Sequence, residues 1–320
     1  MSTISLADIR AAAARIRPYV HRTPVLTSTQ LDSRLGARVF CKCENLQATG
    51  SFKARGAHNA VYSLSDADAA RGVVTHSSGN HAGALARAAQ RRGIPCTVIM
   101  PANASAVKKA AVAAYGAAII ECEPTLSARE AAAARVLAST QGTLVHPYDD
   151  CRVVAGQGTA ALELLEDHPD LDMLLTPVGG GGLLAGSAVA AKAVSSKVRV
   201  IGVEPELADD TFRSYHGTTR VAINSSTTIA DGLRGSIGER NLELLRQYVD
   251  DIVTVSEAEI LAATRFLWER MKIVVEPSGA VPLAALMSGK VQVAGLQVCL
   301  ILSGGNVDLD ALPWARSASR

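Results

Sequence analysis

The chain has 320 residues, 48% hydrophobic and 19% charged, with a formal net charge of +2, enough to bury a core without covalent staples as one large domain or two modest ones. So balanced a charge excludes a protein that holds nucleic acid by counterion release. Six cysteines, at 41, 43, 96, 122, 151 and 299, fall mostly in apolar runs without a C-x-x-C pair, and the N-terminus shows no apolar signal core; reduced thiols and a cytoplasmic protein are expected.

In chain order, Ser5-Leu6-Ala7-Asp8 is a helix start with Asp8 reaching back to cap it. Residues 38–43 form the first strand. Cys41 and Cys43 share a face there, but two thiolates are half of a structural zinc site, and no other Cys or His stands at ligand spacing nearby. Thr49-Gly50-Ser51-Phe52-Lys53-Ala54-Arg55-Gly56 then opens a helical run to Leu64. Strands 73–76, 96–100, 118–122 and 144–146 alternate with helices 80–92, 104–115 and 127–139, which stop at or before Gly93, Gly116 and Gly142. This block, 70–145, has the size of a small α/β domain inserted into a larger one made of 1–65 and 149–320. Strands 173–178, 198–203, 252–255 and 297–302 belong to the larger part. The uncharged stretch 173–191 has the length of a membrane span, yet Pro177 and four successive glycines ruin a helix there. Alternating β-rich and Ala-rich runs predict an α/β fold of open, twisted, mostly parallel sheets flanked by helices, with sites at strand C-termini.

Four segments carry chemistry. Lys53 falls in the first turn of its helix, where the dipole disfavours the ammonium and helps the neutral amine that Schiff-base chemistry needs; a solvated surface lysine is the plainer reading. Thr75-His76-Ser77-Ser78-Gly79-Asn80-His81 gathers hydroxyls, an amide and free helix N–H groups into a cradle for a carboxylate, richer than a simple cap requires. Gly179-Gly180-Gly181-Gly182-Leu183 lets backbone N–H groups close on a phosphate. A dinucleotide fingerprint competes for that run, since Gly180, Gly182 and Gly186 mimic its spacing and Glu204 ends the next strand. Ser303 in Ser303-Gly304-Gly305-Asn306 presents a hydroxyl at a strand end, or is a plain turn. One ligand bearing an aldehyde, a phosphate and a ring nitrogen would use all four segments, whereas a dehydrogenase leaves Lys53 and Ser303 idle.

Ser51 to Gly56, Ser77 to His81, Gly179 to Gly182 and Ser303 to Asn306 together resemble the fold-type-II pyridoxal-phosphate enzymes, in particular serine racemases and the serine/threonine dehydratases without a regulatory domain. The resemblance runs in order over nearly the whole chain and includes Thr23-Pro24-Val25-Leu26, Ala155-Gly156-Gln157-Gly158-Thr159, Ile229-Ala230-Asp231-Gly232 and Glu276-Pro277-Ser278-Gly279. It implies pyridoxal 5′-phosphate on Lys53, with Asn80 at the ring hydroxyl, Gly179, Gly180, Gly181, Gly182 and Leu183 at the phosphate, and Ser303 facing the pyridine nitrogen. Phe52, Gly232 and Glu276 would line the ring. Ser77, Ser78, Asn80 and His81 would surround the substrate carboxylate, with Arg129 a further contact. Glu204, the Ala208 carbonyl and Asp210 resemble a divalent-cation site, and their oxygen donors suit Mg²⁺, Ca²⁺ or Mn²⁺ and not zinc. Acidic residues stabilising a helix N-terminus are the other reading of that segment.

The implied activity is removal of water and ammonia from L-serine or L-threonine, giving a 2-oxo acid, in a homodimer acting on a small amino acid without membrane or nucleic acid. Ser78, placed opposite Lys53, would add serine racemisation. Tyr148, Gly235 and Gly83 depart from the mammalian racemase pattern and admit a larger substrate such as 3-hydroxyaspartate; Ala48 replaces a lysine that helps bind activating nucleotide there.

Overall fold

The computed structural model describes residues 4–77, 79–104, 106–223 and 226–314. Ten strands form two sheets: β1 (Val25–Thr27), β2 (Arg38–Lys42), β3 (Val73–His76), β4 (Cys96–Pro101), β5 (Ala118–Cys122), β6 (Thr143–Leu144), β7 (Met173–Pro177), β8 (Arg199–Pro205), β9 (Asp251–Val255) and β10 (Gln297–Ile301). The larger sheet has the order β1-β2-β10-β7-β8-β9 and the smaller β5-β4-β3-β6. Among these ten strands of the described residues only β1 runs antiparallel to its neighbour. Hydropathy did not mark β1, because three residues at a sheet edge are too few to show a period. Among the described residues no helix is long and apolar enough to cross a membrane.

Local signals set the element ends. Ser5 and Asp8 form a capping box on helix Leu6–Ile16. Helix Asn80–Arg92 stops at Gly93, whose φ of 72° closes it in the left-handed region. The helix expected over 104–115 is shorter, Ala106–Ala114. Along β10, Cys299 and Ile301 enter the core on one face of the larger sheet while Val298 and Leu300 enter the other, so both faces are covered.

Helix Cys151–Asp167 organises the first of those faces. Helix Lys53–Tyr62 crosses it where Gly56 meets Gly156, and a Cβ on Gly156 would lie 2.6 Å from the Gly56 Cα. Helix Gly182–Val194 crosses it two residues later, on a different face, where a Cβ on Gly158 would lie 2.7 Å from the Gly186 carbonyl oxygen.

A buried charge cluster locks the first crossing. The Arg55 guanidinium, 0% exposed, donates to both Glu44 oxygens at 2.8 Å and to the Glu163 oxygens at 2.8 and 2.9 Å. Lys42 donates to Glu163 at 2.7 Å and to the Thr23 carbonyl at 2.9 Å. Burial alone would push the Glu44 carboxyl up, but Arg55 overrides it and holds that group below the usual range. Replacing Arg55 with Met strands the buried Glu44 carboxylate and leaves Glu163 with Lys42 alone, and should lower the unfolding free energy by about 3–5 kcal/mol in urea denaturation. A loss under about 1 kcal/mol would show that the cluster is dispensable.

Candidate active site

Strand order assembles the site. Lys53 follows β2, Ser303 follows β10 and the glycine run follows β7, and these three strands are neighbours in the larger sheet. Their C-terminal segments therefore emerge side by side at one edge. Backbone pairing fixes two of them: Ser51 and Gly304 form an isolated antiparallel bridge, the Phe52 N–H donates to the Ser303 carbonyl at 3.0 Å, and the Gly305 N–H donates to the Gly50 carbonyl at 2.9 Å. Helix Lys53–Tyr62 has no side-chain cap, so this pairing and the Arg55 cluster hold its start.

The half-buried Lys53 amine donates to the Pro147 carbonyl at 2.7 Å and lies 5.0 Å from the Phe52 ring centroid. Burial pushes its pKa down to about 8. The next residue after Pro147, Tyr148, lays its ring against the glycine run: a Cβ on Gly180 would lie 2.2–2.4 Å from ring atoms. Gly181 has φ +85°, which turns the chain into helix Gly182–Val194, a helix without a side-chain cap. Gly179 backs onto Leu233 and the Gly232 carbonyl, and the Gly232 N–H donates to Ser278 Oγ at 3.0 Å. The run is a close-packed turn on which any added side chain would collide with Leu233, Tyr148 or Ile237. Leu183 is buried behind it.

From the smaller sheet, Asn80 reaches across: its Nδ2 donates to Glu276 Oε1 at 2.8 Å, and its Oδ1 accepts from Asn306 Nδ2 at 3.0 Å. Burial pushes the Glu276 carboxyl up to about 8, helped by Asp231 and opposed by the Asn80 hydrogen bond. Lys108 pairs with Asp231 at 2.5 Å across the same gap. Ser77 Oγ accepts the Gly79 N–H at 3.3 Å. Ser78 lies outside the described residues. His81 is buried, with Nε2 3.3 Å from the Val145 carbonyl and Nδ1 unpartnered. His146 Nδ1 accepts the N–H groups of Tyr148 at 3.4 Å and Asp149 at 2.9 Å, and burial, with His76 and Lys53 nearby, pushes its pKa down to about 4. Those bonds explain why β6 ends at Leu144 and does not run to His146 as expected. Arg129 sits half-buried at the rim, and its charge is felt by His76 and Tyr148.

Glu204, near the end of β8, and Asp210, at the start of helix Asp210–His216, lie together. Glu204 accepts the backbone N–H groups of Thr211 at 3.2 Å and Phe212 at 2.8 Å, while Asp210 Oδ2 accepts that of Ile237 at 2.7 Å. Asp210 Oδ1 is buried without a partner, and Ala208 is buried beside the pair. Among the described residues no group of three or more His, Cys, Asp or Glu gathers for a metal; two carboxylates and a carbonyl are what this segment offers. The contact between Lys53 and Pro147 left no trace in the sequence, because it depends on a backbone carbonyl that makes no motif; Asn306 stands in the Ser303 segment, but its side-chain bond to Asn80 is long range and not legible there.

A family model described as pyridoxal-phosphate dependent enzyme matches residues 16–304. A β-hydroxyaspartate dehydratase of Paracoccus denitrificans is 48% identical over 307 residues, covering 96% of this chain and 98% of the relative. The crystal structure of serine racemase from Dictyostelium discoideum superposes with a TM-score of 0.92 at 44% identity, over 96% of this chain and 100% of that one. A threonine deaminase crystal structure from T.th. gives 0.90 at 47% identity, over 95% and 99%. These likenesses leave the dinucleotide reading of the glycine run without support.

A lysine with a pKa near 8 should be separable from ordinary surface lysines. In competitive acylation of the cofactor-free protein followed by peptide mapping, Lys53 reactivity should rise through a midpoint near 8, because only the neutral amine reacts; a midpoint above about 10 would place it in open solvent.

Proposed function

Because the chain belongs to the fold-type-II pyridoxal-phosphate dependent enzymes, among the serine racemases and dehydratases, we propose that it removes water and ammonia from small β-hydroxy amino acids, L-serine and L-threonine, to give 2-oxo acids. The observation that supports this reading is that consecutive residues join the amine to the anion cradle: Pro147 receives Lys53, and Tyr148 covers Gly180.

Lys53 would hold the cofactor aldehyde, Gly179 to Gly182 and Leu183 its phosphate, Asn80 its ring hydroxyl and Ser303 its pyridine nitrogen, with Phe52, Gly232 and Glu276 along the ring. Bound there, pyridoxal 5′-phosphate supplies an electron sink for charge developing at the substrate Cα. Ser77, Ser78, Asn80 and the uncapped N–H groups of helix Asn80–Arg92 seat the substrate carboxylate, with His81 behind them and Arg129 at the rim. Once the substrate's own amine has taken its place, the freed Lys53 amine, neutral in a useful fraction because burial has lowered its pKa, would take the Cα proton. A hydroxyl at position 303 does not keep the pyridine nitrogen protonated as a carboxylate would, which favours departure of the β-hydroxyl over transamination. Hydrolysis of the dehydrated product in water then yields the 2-oxo acid and ammonia.

A second reading, 3-hydroxyaspartate as substrate, is favoured by the space and charge at the rim. A Cβ on Gly83 would meet nothing within 4 Å, one on Gly235 only the Tyr148 ring at 3.5 Å or more, and Arg129 is the cation near both His76 and Tyr148. The Paracoccus relative is named for that substrate. Racemisation would rest on Ser78 as a second proton donor to Cα. The block 70–145 is read as the smaller domain of a cytoplasmic homodimer.

The purified protein should be yellow, lose that colour on borohydride with the label on Lys53, and turn over members of a panel of L-serine, L-threonine and L-threo-3-hydroxyaspartate. A colourless protein that does not react with pyridoxal 5′-phosphate would end the proposal. Within the panel, Ser78→Ala should abolish D-amino acid formation and spare elimination of the L substrate; joint loss would refute the two-face assignment.

Glu204, the Ala208 carbonyl and Asp210 would hold a divalent cation, Mg²⁺ before Ca²⁺ or Mn²⁺, and the unpartnered Asp210 oxygen supports this reading. Adding Mg²⁺ at about 100 times its dissociation constant to chelator-stripped protein should stabilise it by about 2.7 kcal/mol. Asp210→Asn should remove the effect, and an unchanged melting temperature with every cation would leave the segment as a helix cap.

A further inference from the structure

Asn241 lies in the first turn of helix Glu239–Tyr248, 0% exposed, and belongs to none of the segments that carried the resemblance. Its Nδ2 donates to the Gly180 carbonyl at 2.7 Å and to the Tyr148 carbonyl at 3.1 Å, while its Cβ would sit 3.0 Å from a Cβ on Gly181. Its Oδ1 is buried without a partner, so the residue is held in place for its nitrogen and not for full satisfaction. The same helical turn binds the neighbouring segment a second time, with Arg240 donating to the Asp149 carbonyl at 3.3 Å.

We infer that Asn241 is a positioning residue: its carboxamide nitrogen clamps the glycine turn to the 147–148 segment that meets Lys53, and so sets how tightly the turn holds the cofactor's phosphate. The reason is peptide planarity. Carbonyl and N–H of one peptide unit point in opposite directions, so fixing the Gly180 carbonyl on Asn241 aims the Gly181 N–H the other way, toward the concave side of the turn. Without the clamp, among the described residues only the Gly238 N–H, at 3.3 Å, restrains that carbonyl, and four consecutive glycines give the turn the freedom to rotate away. The clamp also keeps the Tyr148 backbone, and therefore the Pro147 carbonyl, at a fixed distance from the anion cradle, so that aldehyde and phosphate ends of one ligand find their partners together.

The inference rests on the glycine turn being the phosphate cradle, and the test separates the two. Cofactor-free wild type, Asn241→Leu and Asn241→Ala are titrated by visible absorbance with pyridoxal 5′-phosphate and with pyridoxal, which lacks the phosphate, and each adduct is trapped on Lys53 with borohydride. Asn241→Leu, of similar size but without donors, should bind pyridoxal 5′-phosphate roughly tenfold more weakly, with its affinity for pyridoxal unchanged; Asn241→Ala should do the same if the Leu variant does not fold. Equal weakening toward both aldehydes, or toward neither, would overturn the clamp while leaving the cradle intact. Equal affinity of the wild type for both aldehydes would overturn the cradle itself and the clamp with it.

Discussion

The structure depends on how closely two helices approach a third. Helices Lys53–Tyr62 and Gly182–Val194 each cross Cys151–Asp167 at a pair of glycines, Gly56 with Gly156 and Gly158 with Gly186. One begins with Lys53 and the other with the glycine run. Any side chain at these crossings would push the helices apart by ångströms, and the two segments proposed to hold one small molecule would lose their spacing. Packing alone does not fix the rotation of such a crossing, since glycines offer no ridges. The directional bonds of buried Arg55 to Glu44 and Glu163 supply what packing lacks, and register is a well-attested use of buried charge.

The same dryness that strengthens the charge cluster tunes the cleft. Lys53 is pushed down and Glu276 up, each to about 8, and His146 down to about 4, with burial the first cause in every case. Position at a helix start points to the dipole as the source of the lysine's neutrality, whereas removal from water is what lowers its pKa. A cleft built this way shifts its lysine and its histidine toward their neutral forms without needing a charged neighbour for each.

Much of this was legible in the residues. The alternation of β-rich and Ala-rich runs predicted nine of the ten strands, and the caps at Ser5 and Gly93 fell where hydrogen-bonding chemistry put them. The four chemical segments could be read because each follows a strand and is rich in residues whose only local use is to free or supply hydrogen-bond donors. What stayed hidden was long range. Pro147 acts through a carbonyl, as every residue can, and Asn241 looks like any polar residue in an amphipathic helix until the fold brings Gly180 and Tyr148 to it. The short β1 and the truncated β6 were hidden for the complementary reason: their ends are set by edge pairing and by His146 turning back on its own chain.

Strand β10 is the last of the ten to be made, yet it lies in the middle of the larger sheet between β2 and β7. During synthesis those two strands wait with unpaired edges for on the order of ten seconds, until residues 297–301 leave the ribosome and fill the gap. A chain cut short before that point keeps no fraction of a working cleft; it keeps two sticky edges and a tendency to aggregate. The appearance of a competent enzyme is therefore gated by its latest strand, however early the others emerge.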